Sequence, residues 1–277
     1  MCIIVYKPAN QKFPSKETLQ NCFINNPDGA GFMYAYKNHV YIKKGFDTFN
    51  KFWNVLNRTR KECGDKLPYI MHFRISTQAH GRMDCTHPFP LSSNMSDLRK
   101  LYVKCNIGIA HNGIIQLTSN YGYNKSITWS DTMLFITDYA SLIIKDSNYY
   151  KDKANLKLLE KLAQSKLAIL NSDGHVELIG DPFIQDNGIY YSDNSYKTYK
   201  PIVKSIGSSK FTLVDDDYTL EDEENFDMWS DFYDPKTKLY NFNPLDCPFS
   251  YDYDFYAGDE YCDHCRCKSK CFPDSEK

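Results

Sequence analysis

Cysteine is the residue type in this chain with the widest chemical choice, and its ten copies are unevenly placed. Cys2 follows the first Met. A small second residue permits removal of that Met, which leaves a thiol of pKa near ~8.5 and an α-amine near ~7.7–8.0 on one residue. The amine can take the thiol proton, directly or through water, and later return it to a leaving amine. Nucleophile and base would then share a residue. The plainer reading is a small buried side chain in a first strand. At the other end, Cys262, Cys265, Cys267 and Cys271 fall within ten residues, with Cys247 fifteen residues upstream. Cys262-x-x-Cys265 is a good half-site for tetrahedral zinc, and Cys267 and Cys271 could complete it. Cys247 or His264 could replace one ligand, and redox or incidental thiols remain the other reading. Cys22, Cys63, Cys85 and Cys105 are expected to pack in or near the core.

The elements that must position these groups can be read from periodicity. Residues 2–6 predict a short buried strand, and Ser15 to Phe23 a short helix after Pro14. Runs 31–36 and 39–44, joined by Lys37-Asn38, predict a hairpin. Phe49, Phe52, Trp53 and Leu56 predict an amphipathic helix over about 46–62. Residues 69–75 predict a strand, 76–98 a polar loop, and 101–104 with 106–110 a pair of strands. Asp131 to Ile144 and residues 154–163 predict helices. Runs 167–170 and 175–179 predict a hairpin about an Asp-Gly turn, followed by a strand over 188–192. Strands and helices come in runs rather than strict alternation, which indicates α+β with largely antiparallel sheets.

Charge divides the chain. Residues 1–205 hold 26 Lys and Arg against 17 Asp and Glu, whereas residues 206–277 hold 7 against 18. The near-neutral total argues against a protein that coats nucleic acid with its whole surface. A mildly basic domain over 1–205 is expected, with an acidic, cysteine-rich extension over 206–277. Fourteen aromatics between 211 and 261 indicate that part of this extension packs on something, since a free acidic tail lacks them. No apolar run reaches the ~18 residues of a membrane span, and the first residues lack the basic and apolar regions of a secretion signal. The expected location is a reducing cytoplasm, where the cysteines would not form a disulfide framework.

The remaining chemically able residues occur in a set order. After Cys2 come Asp28-Gly29-Ala30-Gly31, then His72-Phe73-Arg74-Ile75-Ser76-Thr77, then His87-Pro88-Phe89, Ala110-His111-Asn112-Gly113-Ile114-Ile115 and Ser130-Asp131-Thr132. With Gly188 to Asp193 as a late strand, this set resembles the class II glutamine amidotransferases, which are N-terminal nucleophile hydrolases. The resemblance covers roughly residues 2–200 and departs at Gln78-Ala79, which stand before His80-Gly81. It implies a four-layer αββα sandwich of two antiparallel sheets. It also implies that Cys2 attacks the carboxamide of L-glutamine and forms a thioester. Arg74 would clamp the substrate α-carboxylate and Asp131 would bind its α-ammonium. Asn112 and the Gly113 backbone N–H would form the oxyanion hole, and Thr77 would help line the pocket. No cofactor is implied for catalysis. Read singly, Arg74 could be a surface ion pair, Asp131 a first-turn charge and Asn112-Gly113 a hairpin turn. His87 and His111 read as structural.

The region after residue 205 is too short and too acidic for the acceptor-using domain of the synthase members of that family. The expectation is therefore a glutaminase-like enzyme, acting alone or passing ammonia to a separate synthase subunit. The rival expectation is a non-catalytic scaffold whose acidic, zinc-binding tail docks a protein partner.

Overall fold

The computed structural model describes residues 2–76, 82–119 and 129–197, together with two short strands in the acidic extension. The chain divides into two units, Met1–Thr198 and Tyr199–Lys277. In the second unit the described elements are β12 (Tyr233–Asp234) and β13 (Leu239–Tyr240), which pair antiparallel.

The first unit is built on two antiparallel sheets. Seven strands form one sheet in the order β10-β11-β1-β4-β2-β3-β6. They are β1 (Ile3–Lys7), β2 (Ala30–Tyr36), β3 (His39–Phe46), β4 (Tyr69–Phe73), β6 (Tyr102–Cys105), β10 (Ile184–Asp186) and β11 (Ile189–Tyr191). The second sheet has the order β5-β7-β8-β9, from β5 (Phe89–Pro90), β7 (Ile107–Asn112), β8 (Lys166–Asn171) and β9 (Val176–Ile179). The longer helices are α1 (Lys16–Asn25), α2 (Phe49–Cys63) and α6 (Lys153–Ala163). Two short ones are α3 (Met95–Arg99) and α4 (Gln116–Ser119). Helix α5 opens at Asp131–Phe135 and continues through the wider turn Ile136–Ala140 into Ser141–Ile143.

Local signals set these boundaries. Lys37 and Asn38 both take positive φ, 47° and 59°, the conformation a tight two-residue hairpin needs for its twist to match the strands. The Ser15 hydroxyl accepts from the Thr18 N–H to cap α1, and Thr48 does the same for α2. Gly64, at φ 113°, ends α2.

The layers follow from alternation along the strands. Ile4, Met33, Ala35, Val40, Ile42 and Ile70 of the large sheet pack on Ala110, Ala168 and Leu170 of the small one. The opposite face of the large sheet carries aromatic rings, with Phe52 of α2 meeting Phe32 at 5.9 Å and Phe73 at 4.9 Å. The opposite face of the small sheet buries Ile107, Ile109, Leu167 and Ile169 among Phe135, Ile136, Leu159 and others of α5 and α6. Two antiparallel sheets thus form a layered sandwich with helices on both outer faces. No helix among the described residues is long and apolar enough to cross a membrane.

Two expectations need correction. Residues 101–104 and 106–110 do not pair with each other. β6 extends the large sheet, with Val40 opposite Cys105, while β7 sits inside the small sheet between β5 and β8. Burial explains the separation. All six residues of β7 are buried whereas all four of β6 are half-buried, so β7 needs neighbours on both edges and both faces. The second correction concerns 76–98, where the structure contains the turn Met83–Cys85, β5 and α3. Cys85, Phe89 and Leu98 are fully buried there, but a two-residue strand is too short to show a period.

One glycine governs how the layers close. A Cβ on Gly31 would run into the His87 carbonyl oxygen and lie 2.6 Å from Lys44 Cβ. Neither is a flexible side-chain end. Gly31→Ala should therefore lower unfolding free energy by about 3 kcal/mol or more in urea titrations. Gly64→Ala, with positive φ but open space, should lose only about 1 kcal/mol. Equal losses would show that the close approach at Gly31 is not the constraint.

Candidate active site

The candidate residues converge at one end of the layer between the sheets. On β1 and β4, Ile4 and Ile70 point into this layer, and His72 follows Ile70 on the same face. The alternation carried past the strand ends brings Cys2 and Arg74 to this side. On β7, Ala110 points into the layer, and Asn112 shares its face. The predicted strands were needed for this convergence, but so was their assignment to two different sheets.

Cys2 is half-buried and rests on the backbone beyond β4. Its thiol donates to the Ile75 carbonyl at 3.4 Å, and its sulfur accepts from the Ile75 N–H at 3.3 Å. Burial pushes the Cys2 thiol above the ordinary cysteine range. The Ile75 N–H, the N-terminal ammonium and Arg74 pull it down in that order, and Asp131 adds a smaller upward push. The resting thiol is therefore protonated at neutral pH, and a base must take its proton before it can attack.

Arg74 is 4% exposed. Its backbone is locked to the turn of residues 28–31, donating to the Gly29 carbonyl at 2.8 Å and accepting from the Asp28 N–H at 2.9 Å. Asp28 Oδ2 in turn accepts from the Ser76 N–H at 2.7 Å. Gly29, at φ 124°, lets this turn pass close to the Thr86 side chain. Arg74 Nη1 donates to the Arg82 carbonyl at 3.0 Å. Its charge acts on Cys2, His72 and His87 alike, which places it among them.

Asn112 Nδ2 donates to Ser192 Oγ at 2.8 Å and lies 3.4 Å from Asp193 Oδ2, while its Oδ1 is buried with no partner among the described residues. The same Ser192 hydroxyl accepts from the Ile4 N–H at 2.8 Å. One hydroxyl thus ties β1, two residues from Cys2, to the end of β7. Of the two N–H bonds on the Asn112 amide, one is engaged by Ser192. The other faces only the long contact to Asp193. Gly113, at φ 137°, has Ser165 where a Cβ would go, 2.8 Å from its Cβ position. No other residue fits that backbone path without displacing Ser165.

Asp131 opens α5. The Ser130 hydroxyl caps that helix by accepting from the Met133 N–H at 3.2 Å. Asp131 Oδ2 accepts from the Ile115 N–H and Oδ1 from the Thr132 N–H, both at 2.8 Å. The carboxylate is thereby joined to the segment directly after Asn112-Gly113.

Behind the site lies a group of three buried histidines. His72 Nε2 bonds the His111 carbonyl across the two sheets at 3.0 Å. The His72 and His87 rings stand 4.3 Å apart, and His87 and His111 both reach Thr132 Oγ1. Burial holds all three rings below the ordinary histidine range, His72 down to about 3. All three are buried and neutral; of them, the sequence marks His87 and His111 as structural.

Sequence reasoning assigned no role to Ser192, Thr132 or Ile75. Ser192 stood inside the Gly188 to Asp193 stretch, which was the available signal, and Ile75 acts only through its backbone. Thr77 lies outside the described residues. So do Cys262, Cys265, Cys267 and Cys271. Among the described residues, no group of three or more His, Cys, Asp or Glu side chains is arranged to hold a metal ion. Cys22 and Cys85 are buried, and Cys63 and Cys105 are half-buried.

No family model matches the chain, and no curated protein matches it. Among solved structures it is similar to the glutamine phosphoribosylpyrophosphate amidotransferase from B. subtilis, complexed with ADP and GMP. The identity is 15% and the TM-score 0.40, over 69% of this chain and 41% of that one. The chain thus spans less than half the length of that protein.

The histidines make a testable demand on pH. Unfolded, each would have a pKa near ~6.5; folded, His72 is neutral down to about 3. Their contribution is fully present above pH ~6.5 and is lost as pH falls from there toward the folded value. Urea titrations should show stability falling as pH drops below ~6.5, with His72 alone contributing a slope that approaches about 1.4 kcal/mol per pH unit by pH ~5. His72→Gln should flatten that slope by one histidine's share. An unchanged slope in the variant would mean His72 is not buried neutral.

Proposed function

We propose that the first unit hydrolyses the side-chain amide of L-glutamine to glutamate and ammonia, with Cys2 as nucleophile. One observation carries the reading. A thiol held on the Ile75 backbone feels a buried cation, Arg74, and an anion, Asp131, at the same end of the inter-sheet layer. An α-amino acid presents the complementary pair of charges on one carbon. Arg74 would take the carboxylate through two parallel bonds and Asp131 the ammonium.

The steps balance on this chain's own groups. Removal of Met1 frees the Cys2 α-amine, which takes the thiol proton. Sγ attacks the amide carbon, and the carbonyl electrons move to oxygen. The Asn112 N–H that makes the long 3.4 Å contact to Asp193 would turn to receive that oxyanion, together with the Gly113 N–H. The intermediate collapses, the C–N bond breaks, and the α-ammonium returns its proton to the departing nitrogen. Ammonia leaves and a thioester remains. Water then adds to the thioester carbon while the α-amine takes its proton. The C–S bond breaks, giving glutamate and the free thiol. Thr77 would orient the substrate, and a separate synthase subunit would use the ammonia. No cofactor enters this sequence.

Mass spectrometry of the purified chain should show loss of Met1. The glutamine analogue diazo-oxo-norleucine should add once, to wild type and not to Cys2→Ala. Arg74→Ala should raise KM for glutamine by about 100-fold, the value of roughly 3 kcal/mol of charge-assisted bonding. An intact Met1 with no adduct would instead leave a non-catalytic scaffold, and glutaminase activity untouched by Arg74→Ala would refute an amino-acid substrate.

A further inference from the structure

The three histidines and Thr132 have one proton arrangement that satisfies them best. The His111 carbonyl can only accept, so His72 must carry its proton on Nε2. Its Nδ1, buried with no partner among the described residues, is then a bare lone pair rather than a stranded donor. His87 follows the same logic. Its Nδ1 has no partner among the described residues and its Nε2 lies 3.1 Å from Thr132 Oγ1, so Nε2–H donates to the threonine. Thr132 has one proton to give. His111 Nδ1 is 2.8 Å away and Asp131 Oδ1 is 3.3 Å away, so the proton goes to the ring. His111 Nε2–H then donates to Ser165 Oγ at 2.8 Å, and Ser165 donates to the Ala163 carbonyl at 2.9 Å. Each donor in the chain has an acceptor, and the chain ends on a carbonyl that cannot reverse it.

Thr132 is fully buried and sits in the first turn of α5, directly after Asp131. Its hydroxyl is held from two sides, by His87 just before β5 and by His111 of β7. Its N–H meanwhile holds Asp131 Oδ1. The start of α5 is therefore fixed by the threonine and not by the apolar contacts of the helix alone. We propose that Thr132 is a positioning residue that fixes the Asp131 carboxylate at the start of α5, and so sets the recognition of the substrate α-ammonium. This inference rests on the glutaminase reading and adds to it the device by which the amino end of the substrate is selected.

The test uses Thr132→Val, which keeps the branched shape and removes the hydroxyl, and Thr132→Ser, which restores it. The substrates are glutamine and its desamino analogue, glutaric acid monoamide, which lacks the ammonium. Thr132→Val should raise KM for glutamine about 10-fold with kcat within about 3-fold, as expected for a displaced binding group. It should leave kcat/KM for the desamino analogue unchanged, and Thr132→Ser should recover the glutamine KM. In an Asp131→Asn background the effect of Thr132→Val on glutamine should vanish. Equal losses on both substrates would mean general loosening and would overturn the proposal. An unchanged glutamine KM would overturn it while leaving the glutaminase reading intact, whereas a wild type that turns over no glutamine would overturn both. If Thr132→Val does not fold, ring ¹⁵N NMR of the wild type decides. Nε2–H on both His87 and His111 supports the chain, and Nδ1–H on either overturns it.

Discussion

Two antiparallel sheets packed face to face leave a layer that only every second side chain of each strand can enter. That constraint organises this molecule. Along most of the layer the admitted residues are apolar or small, such as Ile4, Met33, Ala110 and Ala168. Toward one end they become Cys2, His72, Arg74 and Asn112. The site is therefore the unfinished end of the core, where the sheets diverge from hydrophobic filling to polar groups. A one-residue slip of β1 against β4 would turn Cys2 to the outer face. The five paired positions from Ile3–Phe73 to Lys7–Tyr69 prevent that slip.

The same layer makes polar burial expensive, and the structure answers with bonds that cross between sheets. Ser192 joins Ile4 to Asn112, and His72 joins β4 to the His111 carbonyl. Both bonds join strands of different sheets near Cys2. Gly31 belongs to this arrangement, because its missing Cβ admits the His87 backbone and brings that ring over His72. Neutral imidazoles suit the place, being able to donate and accept once each without carrying a charge into it.

The raised thiol and the nearby charges have a common origin. Burial disfavours the thiolate, and Arg74 and Asp131 act on it with opposite signs. A thiol so placed is protonated at rest.

Much of the fold was legible in the sequence because its signals are local. The β-rich runs 31–36 and 39–44, the turn at Lys37-Asn38 and the helical spacing of Phe49, Phe52 and Leu56 depend on near neighbours alone. So does the helix start at Ser15 after Pro14. What local pattern could not decide was which sheet each strand joins. β6 and β7 are adjacent in sequence, yet Asn106 separates two sheets, since only the whole core determines where a fully buried strand must lie. The candidate residues were legible by type and order, and Cys2, Arg74, Asn112 and Asp131 could each be named. Their plain readings as strand residue, ion pair, turn and cap could not be separated from that. Ser192 and Thr132 were not legible, because a serine or threonine gains its role only from what folds against it. The sequence by itself determined the chemistry available and the local elements. Tertiary structure decided that Arg74, Asp131 and Cys2 come to the same end of the layer, because pairing across two sheets is a property of distant residues.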